Sequence, residues 1–377
     1  MKSSLLNSTA LKNQIPKFVL TGGPCAGKTT AREYLKEKLK DYGFTPFFVP
    51  EIPTEFIENG IAPNANGFTR DQFQELLFEE VLDREARYMR MAYKSSADKK
   101  ILICDRGLLD VRAYSDTRQF DFWLDKKGLS LIGARDTRYD AVFHLVTAAQ
   151  GAEEFYTLAN NKARSETLEE ARERDGLVFD AWNGHPHLRI IDNSTDFEGK
   201  MRRLLGEVCH ALGVPVPLEI ERKFLIHPPA MQHFRKQAQV INIEQAYLAG
   251  GNDGITRRVR KREQSGACMF VETNKQMIRD GVRAEVEWPI SQARYLAALA
   301  YEQDPNSVIV RKKRTCFQYK NQYFELDYFE EPHQGLWLLE IELTDIQQEI
   351  SLPPFLDIIK EVTNDSAFTN SELAKKR

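Results

Sequence analysis

The stretch "GGPCAGKT", Gly22 to Thr29, constrains the fold of this chain more than any other. It follows a short apolar run, "KFVLT", and opens a helical pattern that continues to Gly43, a natural helix stop. Gly22, Gly23 and Gly27 let backbone N–H groups turn inward around an anion, and the helix N-terminus adds positive potential at the same point. Lys28 is then placed to reach the β- and γ-phosphates of a nucleotide. The Thr29 hydroxyl, next to Thr30, is placed to meet Mg²⁺. A glycine-rich turn that fits the spacing by chance would not need a strand before it and a helix after it.

The segments that follow alternate as such a loop requires. "FTPFFVPE", "KKILICDRG", "YDAVFHLV" and "LRIIDN" read as strands, separated by helical patterns near residues 71–94, 161–174 and 197–213. Strand–helix alternation predicts an α/β domain, a parallel sheet with helices on both faces. After "VPVPL" the rhythm changes to short alternating strands, interrupted by helical segments near 229–238 and 291–302, which predicts an antiparallel sheet or barrel. At 377 residues two domains are expected. The boundaries read as a lead-in at 1–15, a nucleotide-binding domain at 16–213, a linker at 214–218 and a second domain at 219–377.

Composition narrows the function classes. Lys plus Arg number 52 against 55 acidic residues, a net charge of −3, so no stable nucleic-acid complex is expected. The five cysteines show no zinc or disulfide spacing and read as reduced thiols in a cytoplasmic protein. No apolar run approaches the ~18 residues of a transmembrane span.

"ILICD" places Asp105 at the C-terminal end of a buried strand, where parallel sheets gather ligand groups; there it would hold Mg²⁺ through a water. "VPE" and "CDRG" together resemble the nucleoside-kinase-like or AAA-type branch of P-loop NTPases. That resemblance implies Glu51 as a catalytic base and Arg106 as a phosphate contact. It also makes "NNKARSETLEEARERD" a lid with Arg164 and Arg172 closing on phosphate, and "RIIDNST" a base-contacting loop in which Asn193 meets a purine edge. The plain alternatives are a solvated helix face for the two arginines and a strand cap for Glu51. No N-K-x-D guanine motif is present, which weakens a Ras-like switch without choosing between ATP and GTP.

The second half carries an anomaly: strand after strand has one charged face. "LEIERK" aligns Glu219, Glu221 and Lys223. "RRVR" aligns Arg258 with Arg260, "TNK" Thr273 with Lys275, "VRAEVEW" Arg283 with Glu285 and Glu287. "KKR" aligns Lys312 with Arg314, "ELD" Glu325 with Asp327, and "EIE" Glu340 with Glu342. For any one strand the charged face is ordinarily the wet one. Taken together, acidic and basic pairs on separate strands suggest a barrel whose lumen holds a polyanion and a divalent cation.

This order of motifs closely resembles the CYTH, or triphosphate tunnel metalloenzyme, family. The resemblance covers 217–377 and implies an α+β domain built on an eight-stranded antiparallel tunnel with a closing helix. The substrate class it implies is triphosphate, polyphosphate or thiamine triphosphate, hydrolysed with Mg²⁺ or Mn²⁺. Glu219, Glu221 and Glu342 are then the metal ligands. Lys223, Arg258, Arg260, Lys275, Arg283, Lys312 and Arg314 hold phosphate, and Glu285, Glu287, Asp327 and Glu340 position metal, water or the basic residues. The two-domain arrangement resembles the group containing TRPL translocation defect protein 14, which implies GTP binding and contact with phosphoinositides. The expectation is therefore a phosphohydrolase. The rivals are a nucleotide-gated regulatory or trafficking protein and a small-molecule kinase.

Overall fold

The computed structural model describes residues 15–156, 167–214, 218–234, 238–250, 255–279, 282–330, 332–343 and 348–376. Within strands the side chains of 218–220, 276–279 and 282–285 are outside that description. Chain contacts divide the chain into two units, the division falling between Val208 and Cys209.

The first unit is the α/β sheet that the loop demanded. Five parallel strands, β1 (Lys17–Thr21), β2 (Phe44–Val49), β3 (Lys99–Asp105), β4 (Ala141–Leu145) and β5 (Leu188–Ile191), stand in the order β2-β3-β1-β4-β5. The central β1 is buried from Phe18 to Thr21, as a strand covered on both faces must be. Helix α1 (Lys28–Asp41) turns Lys28, Ala31, Leu35 and Leu39 inward at helical spacing. Helices α2 (Ile52–Glu58), α3 (Arg70–Lys94), α4 (Leu108–Arg112) and α5 (Thr117–Lys126) follow. The long α3 starts at a capping box in which Thr69 and Gln72 satisfy each other's backbone N–H.

The helix expected at 161–174 is displaced. α6 runs from Leu168 to Trp182, because Thr167 and Glu170 form a capping box that fixes its start and Val178, Phe179 and Trp182 carry it on into the core. Residues 157–166, Arg164 among them, lie outside the described residues. α7 (Phe197–Ala211) follows β5. Among the described residues no helix is long and apolar enough to cross a membrane.

The second unit is a separate antiparallel sheet of nine strands. These are β6 (Leu218–Ile226), β7 (Gln239–Leu248), β8 (Ile255–Gln264), β9 (Ala267–Arg279), β10 (Val282–Pro289), β11 (Val310–Tyr319), β12 (Gln322–Phe329), β13 (Trp337–Glu342) and β14 (Ile358–Glu361). Their order is β10-β9-β8-β7-β11-β12-β13-β6-β14, and β10 also pairs with β6. Eight strands were expected; the ninth, β14, is a short addition to β6. Only a short 3-10 turn, Met231–Phe234, stands in the first half of the region expected to be helical at 229–238. α8 (Gln292–Tyr301) matches its sequence signal, and the expected closing helix shrinks to α9 (Asn370–Leu373).

The apolar faces of these strands are covered. Ala246, Leu248 and Val259 pack under Tyr295 and Ala298 of α8. Phe224, Phe317, Phe324, Leu326, Leu339 and Ile341 pack with Phe234 and Leu356. The opposite face of the same strands is the charged one.

Candidate phosphate-binding sites

In the first unit the phosphate loop is fastened at several points. A Cβ on Gly22 would lie 2.0 Å from the Leu145 carbonyl oxygen, so only glycine fits where the loop crosses β4. The Gly23 N–H donates to Asp175 Oδ1 at 2.6 Å, and the Thr147 hydroxyl donates to the Pro24 carbonyl. Gly27, with φ of +87°, caps α1 and allows the turn into it.

Lys28 is buried, and its ammonium donates to the Gly22 and Gly23 carbonyls at 3.1 Å each. Burial, with Arg106 nearby, lowers its pKa to about 8 against the pull of Glu51, Asp105 and Asp110. Thr29 and Thr30 are exposed beside it, and with Lys28, Glu51, Asp105 and Asn193 they line one cleft of about 1500 Å³.

Asp105 ends β3 in that cleft. Its Oδ1 is buried with no hydrogen bond, and burial raises its carboxyl pKa. An orphaned carboxylate oxygen in the cleft that Thr29 also lines fits a hard divalent cation. Glu51 also lines the cleft, but its Oε1 accepts from Arg106 Nε at 2.8 Å and its Oε2 from the Thr54 hydroxyl at 3.0 Å. Burial opposes its charge, yet Arg106, Lys28 and these hydrogen bonds carry its pKa down to about 2. Arg106 spends its remaining reach on Asp110 at 3.2 Å and the Gly22 carbonyl at 3.4 Å. The two residues taken as base and phosphate contact are thus brought together and hold each other.

Asn193 and Arg172 are placed differently from expectation. The Asn193 amide donates to the Thr147 and Gln150 carbonyls at 2.8 Å and accepts from Lys200, leaving its polar atoms committed to the loop rather than to a base. Arg172 donates to the Ala149 carbonyl at 2.6 Å and to Glu153 at 3.0 Å, because α6 starts later than expected and turns it toward that segment.

Three groups escaped the sequence reading. Asp110 gathers Thr21, Arg106, Gly107 and Trp182; Asp175 fixes Gly23; buried Lys200 bonds Ala26, Val146 and Asn193. None is close in sequence to all that it holds, so no local motif could show them.

In the second unit the charged face is buried. Arg314 makes hydrogen bonds to Asp327 at 2.6 and 2.7 Å and to Glu340 at 2.7 Å, and also pairs with Glu325. Lys312 pairs with Asp327, and Lys223 meets Glu340 at 2.8 Å and Glu221 at 3.5 Å. Arg260 lies 3.7 Å from Glu287, which accepts from the Thr273 hydroxyl at 2.8 Å. Exposures of 0% for Asp327, 2% for Lys312, 5% for Arg258 and Glu340 and 6% for Lys223 and Arg314 decide against a wet face. Arg262, 1% exposed on the same face as Arg258 and Arg260, was missed. Burial disfavours the charge of Glu340, but Lys223, Lys312 and Arg314 hold its carboxyl well below the usual range.

Strand register brings two acidic candidates together. Glu221 on β6 stands opposite Glu342 on β13. Like charges facing across a strand pair destabilise a sheet unless cations offset them; Lys223 already lies 3.5 Å from Glu221, and the facing carboxylates also suit a divalent ion. Among the described residues no group of three His, Cys, Asp or Glu side chains forms a complete metal cage. The third expected ligand, Glu219, has its side chain outside the described set, as do Arg283 and Glu285. In register Arg283 stands opposite Glu219, and Lys275 opposite Glu285.

Comparison with known proteins gives two kinds of match. Residues 17–200 match the AAA_28 family, an AAA domain. Over 157 residues, 42% of this chain, the sequence is 28% identical to the inorganic triphosphatase of Acetivibrio thermocellus and spans 93% of it. A crystal structure of another inorganic triphosphatase is 27% identical, covering 42% of this chain and 95% of that one at a TM-score of 0.30. A Hippeastrum protein whose structure is described as revealing a dominant triphosphatase activity is 18% identical over 34% of this chain and 80% of its own, at a TM-score of 0.25.

Proposed function

We propose that the protein is a Mg²⁺- or Mn²⁺-dependent phosphohydrolase that cleaves a linear triphosphate on the charged face of its second unit and binds a nucleoside triphosphate at its phosphate loop. The observation that carries this reading is the burial of that charged face. Water could have served the polar side of an amphipathic sheet; instead opposed charges are packed away from it, a desolvation cost that an apolar face would avoid and that a polar ligand site gives reason to bear. The β10–β6 pairing supports a closed eight-stranded tunnel around this face. Because the charged motif series lies between Glu219 and Glu342, we attach the likeness to inorganic triphosphatase to this unit.

In this mechanism Lys223, Arg258, Arg260, Lys275, Lys312 and Arg314 bind the phosphoryl oxygens and neutralise charge that develops as the anhydride breaks. Asp327 and Glu340 hold the heads of Lys312, Arg314 and Lys223 in place for that task. Glu221, Glu342 and Glu219 would hold the divalent ion, which when bound supplies Lewis-acid polarisation of the phosphoryl group. Glu287, anchored by Thr273, orients water toward the chain. Phosphate release from inorganic triphosphate, thiamine triphosphate, ATP and GTP, with Mg²⁺ or Mn²⁺, tests the reading. Release from at least one of them is expected, and none from any with either ion overturns it.

A second reading, phosphoryl transfer in the first unit, is favoured by Glu51 and Asp105 lining one cleft with Lys28. Transfer through Glu51 requires Arg106 to leave it, since a carboxylate held near a pKa of about 2 is a weak base. Nucleotide-gated regulation with phosphoinositide contact follows only from the resemblance of the two-domain arrangement, and phosphate release is the measurement that separates it from an enzyme.

A further inference from the structure

Gln245 on β7 is 0% exposed, yet its amide finds almost nothing to bond. Its Oε1 is buried with no hydrogen bond, and its Nε2 reaches only the Tyr247 hydroxyl, at 3.5 Å, the outer limit of such a contact. In register it stands between Val310 on β11 and Arg260 on β8. It therefore shares the buried face of Lys312, Arg314, Arg258 and Arg262. A buried carbonyl oxygen that accepts nothing weakens a fold, and buried side-chain amides are ordinarily satisfied. A leucine of similar volume would fill the same space without that cost, and Ile241 and Ile243 on the same strand show that apolar side chains fit there.

We infer that Gln245 is a substrate-contact residue of the charged face: its Nε2 donates to a phosphoryl oxygen of the bound polyphosphate, and its Oε1 accepts from a water that enters with it. An ionised phosphate chain offers acceptors only, so the amide N–H is the half that meets it and the carbonyl half needs a donor that the chain cannot supply. The surrounding lysine and arginines provide charge, which falls off gradually with distance. The amide provides direction, which fixes where along the face a phosphoryl group comes to rest. This inference rests on the triphosphate reading of the second unit.

The test uses the full chain carrying Gln245→Leu or Gln245→Glu. Melting temperature is measured without ligand, and Kd for inorganic tripolyphosphate is measured by calorimetry. The Leu variant is expected to melt at or above the wild-type temperature, because it removes an unsatisfied polar group. Its tripolyphosphate Kd is expected to rise about ten- to hundredfold, the loss of one hydrogen bond to a charged group. The Glu variant is expected to bind more weakly still, since it adds a negative charge where the polyanion sits. A lowered melting temperature in the Leu variant, or an unchanged Kd in either variant, overturns the inference. Wild-type protein that fails to bind tripolyphosphate at all is a different result, and it overturns the triphosphate reading itself.

Discussion

The two candidate phosphate sites are built by opposite means. At the phosphate loop the backbone makes the site: three glycines, a helix start and one lysine, all within eight residues of sequence. On the second unit's sheet the side chains make it, with one to three charged groups from each of several strands and none sufficient alone. A backbone site is cheap in charge, and Lys28 there is held by neutral carbonyls. The sheet site instead buries carboxylates against guanidinium and ammonium groups, so its members depend on one another. Loss of one member should therefore do more damage on the sheet than at the loop.

The largest expected effect follows from that dependence. Arg314→Ala leaves Glu325, Asp327 and Glu340 without their shared guanidinium, and breaking such a buried pair costs about 3–5 kcal/mol. Chemical denaturation of the full chain should show the second unit losing that much stability. A loss below about 1 kcal/mol would mean that the network is loosely coupled, and the contrast between the sites would disappear.

Next in size is Glu221→Gln. It removes one charge from the Glu221–Glu342 pair and should lower triphosphate hydrolysis about 10²–10³-fold while leaving the fold intact, the scale on which one preorganised electrostatic group acts. Near-normal turnover with Mg²⁺ and Mn²⁺ would show that the facing carboxylates do not hold the ion.

Lys28→Ala sharpens the other side of the comparison. It should weaken nucleotide binding about ten- to hundredfold, the effect of one charged hydrogen bond, and leave tripolyphosphate hydrolysis unchanged. Parallel loss of both would mean that the two sites are not chemically separate.

The smallest expected effect is one of pH. Burial places the Lys28 pKa at about 8, below its ordinary 10.5. Between those values the unfolded chain keeps a proton that the folded loop has shed, so this group's contribution to stability rises with pH across that window. Phosphate affinity runs the other way: the ammonium is fully present below about pH 8 and is lost above it. Nucleotide Kd should then rise by at most about tenfold per pH unit, and Lys28→Arg, always charged, should flatten the profile. A wild-type profile that is flat from pH 7 to 10 would show that Lys28 does not carry the interaction.

Legibility in the sequence followed the same division. The loop, the strand ending in Asp105 and the alternation of strands and helices could all be read because each is local. The Glu51–Arg106 clasp could not, since the two residues are far apart in sequence and both had plausible separate tasks. Asn193 and Arg172 hid their surroundings for a related reason: their types suit a ligand, and the carbonyls that they bond lie far off in sequence. On the sheet, period-two alternation gave the charged faces correctly, while their burial depended on what packs over the other side. Gln245 opens "QAYL", a stretch that resembles the second strand of the tunnel family, but as a single neutral residue it gave no reason to expect a ligand contact.

The mixed sign of the sheet face also has a kinetic meaning. Lys223, Arg258, Arg260, Arg262, Lys275, Lys312 and Arg314 are set among Glu221, Glu287, Glu325, Asp327, Glu340 and Glu342, so the field of the cations is largely cancelled a short distance away. The chain's net charge of −3 adds no general attraction for a polyanion. A phosphate chain must then find this face by diffusion and meet strong forces only on contact. We expect its association rate to change little between low and physiological salt, where a strongly steered rate falls steeply, a difference that stopped-flow mixing at two ionic strengths would resolve. Selectivity would then reside in how long the chain stays rather than in how fast it arrives.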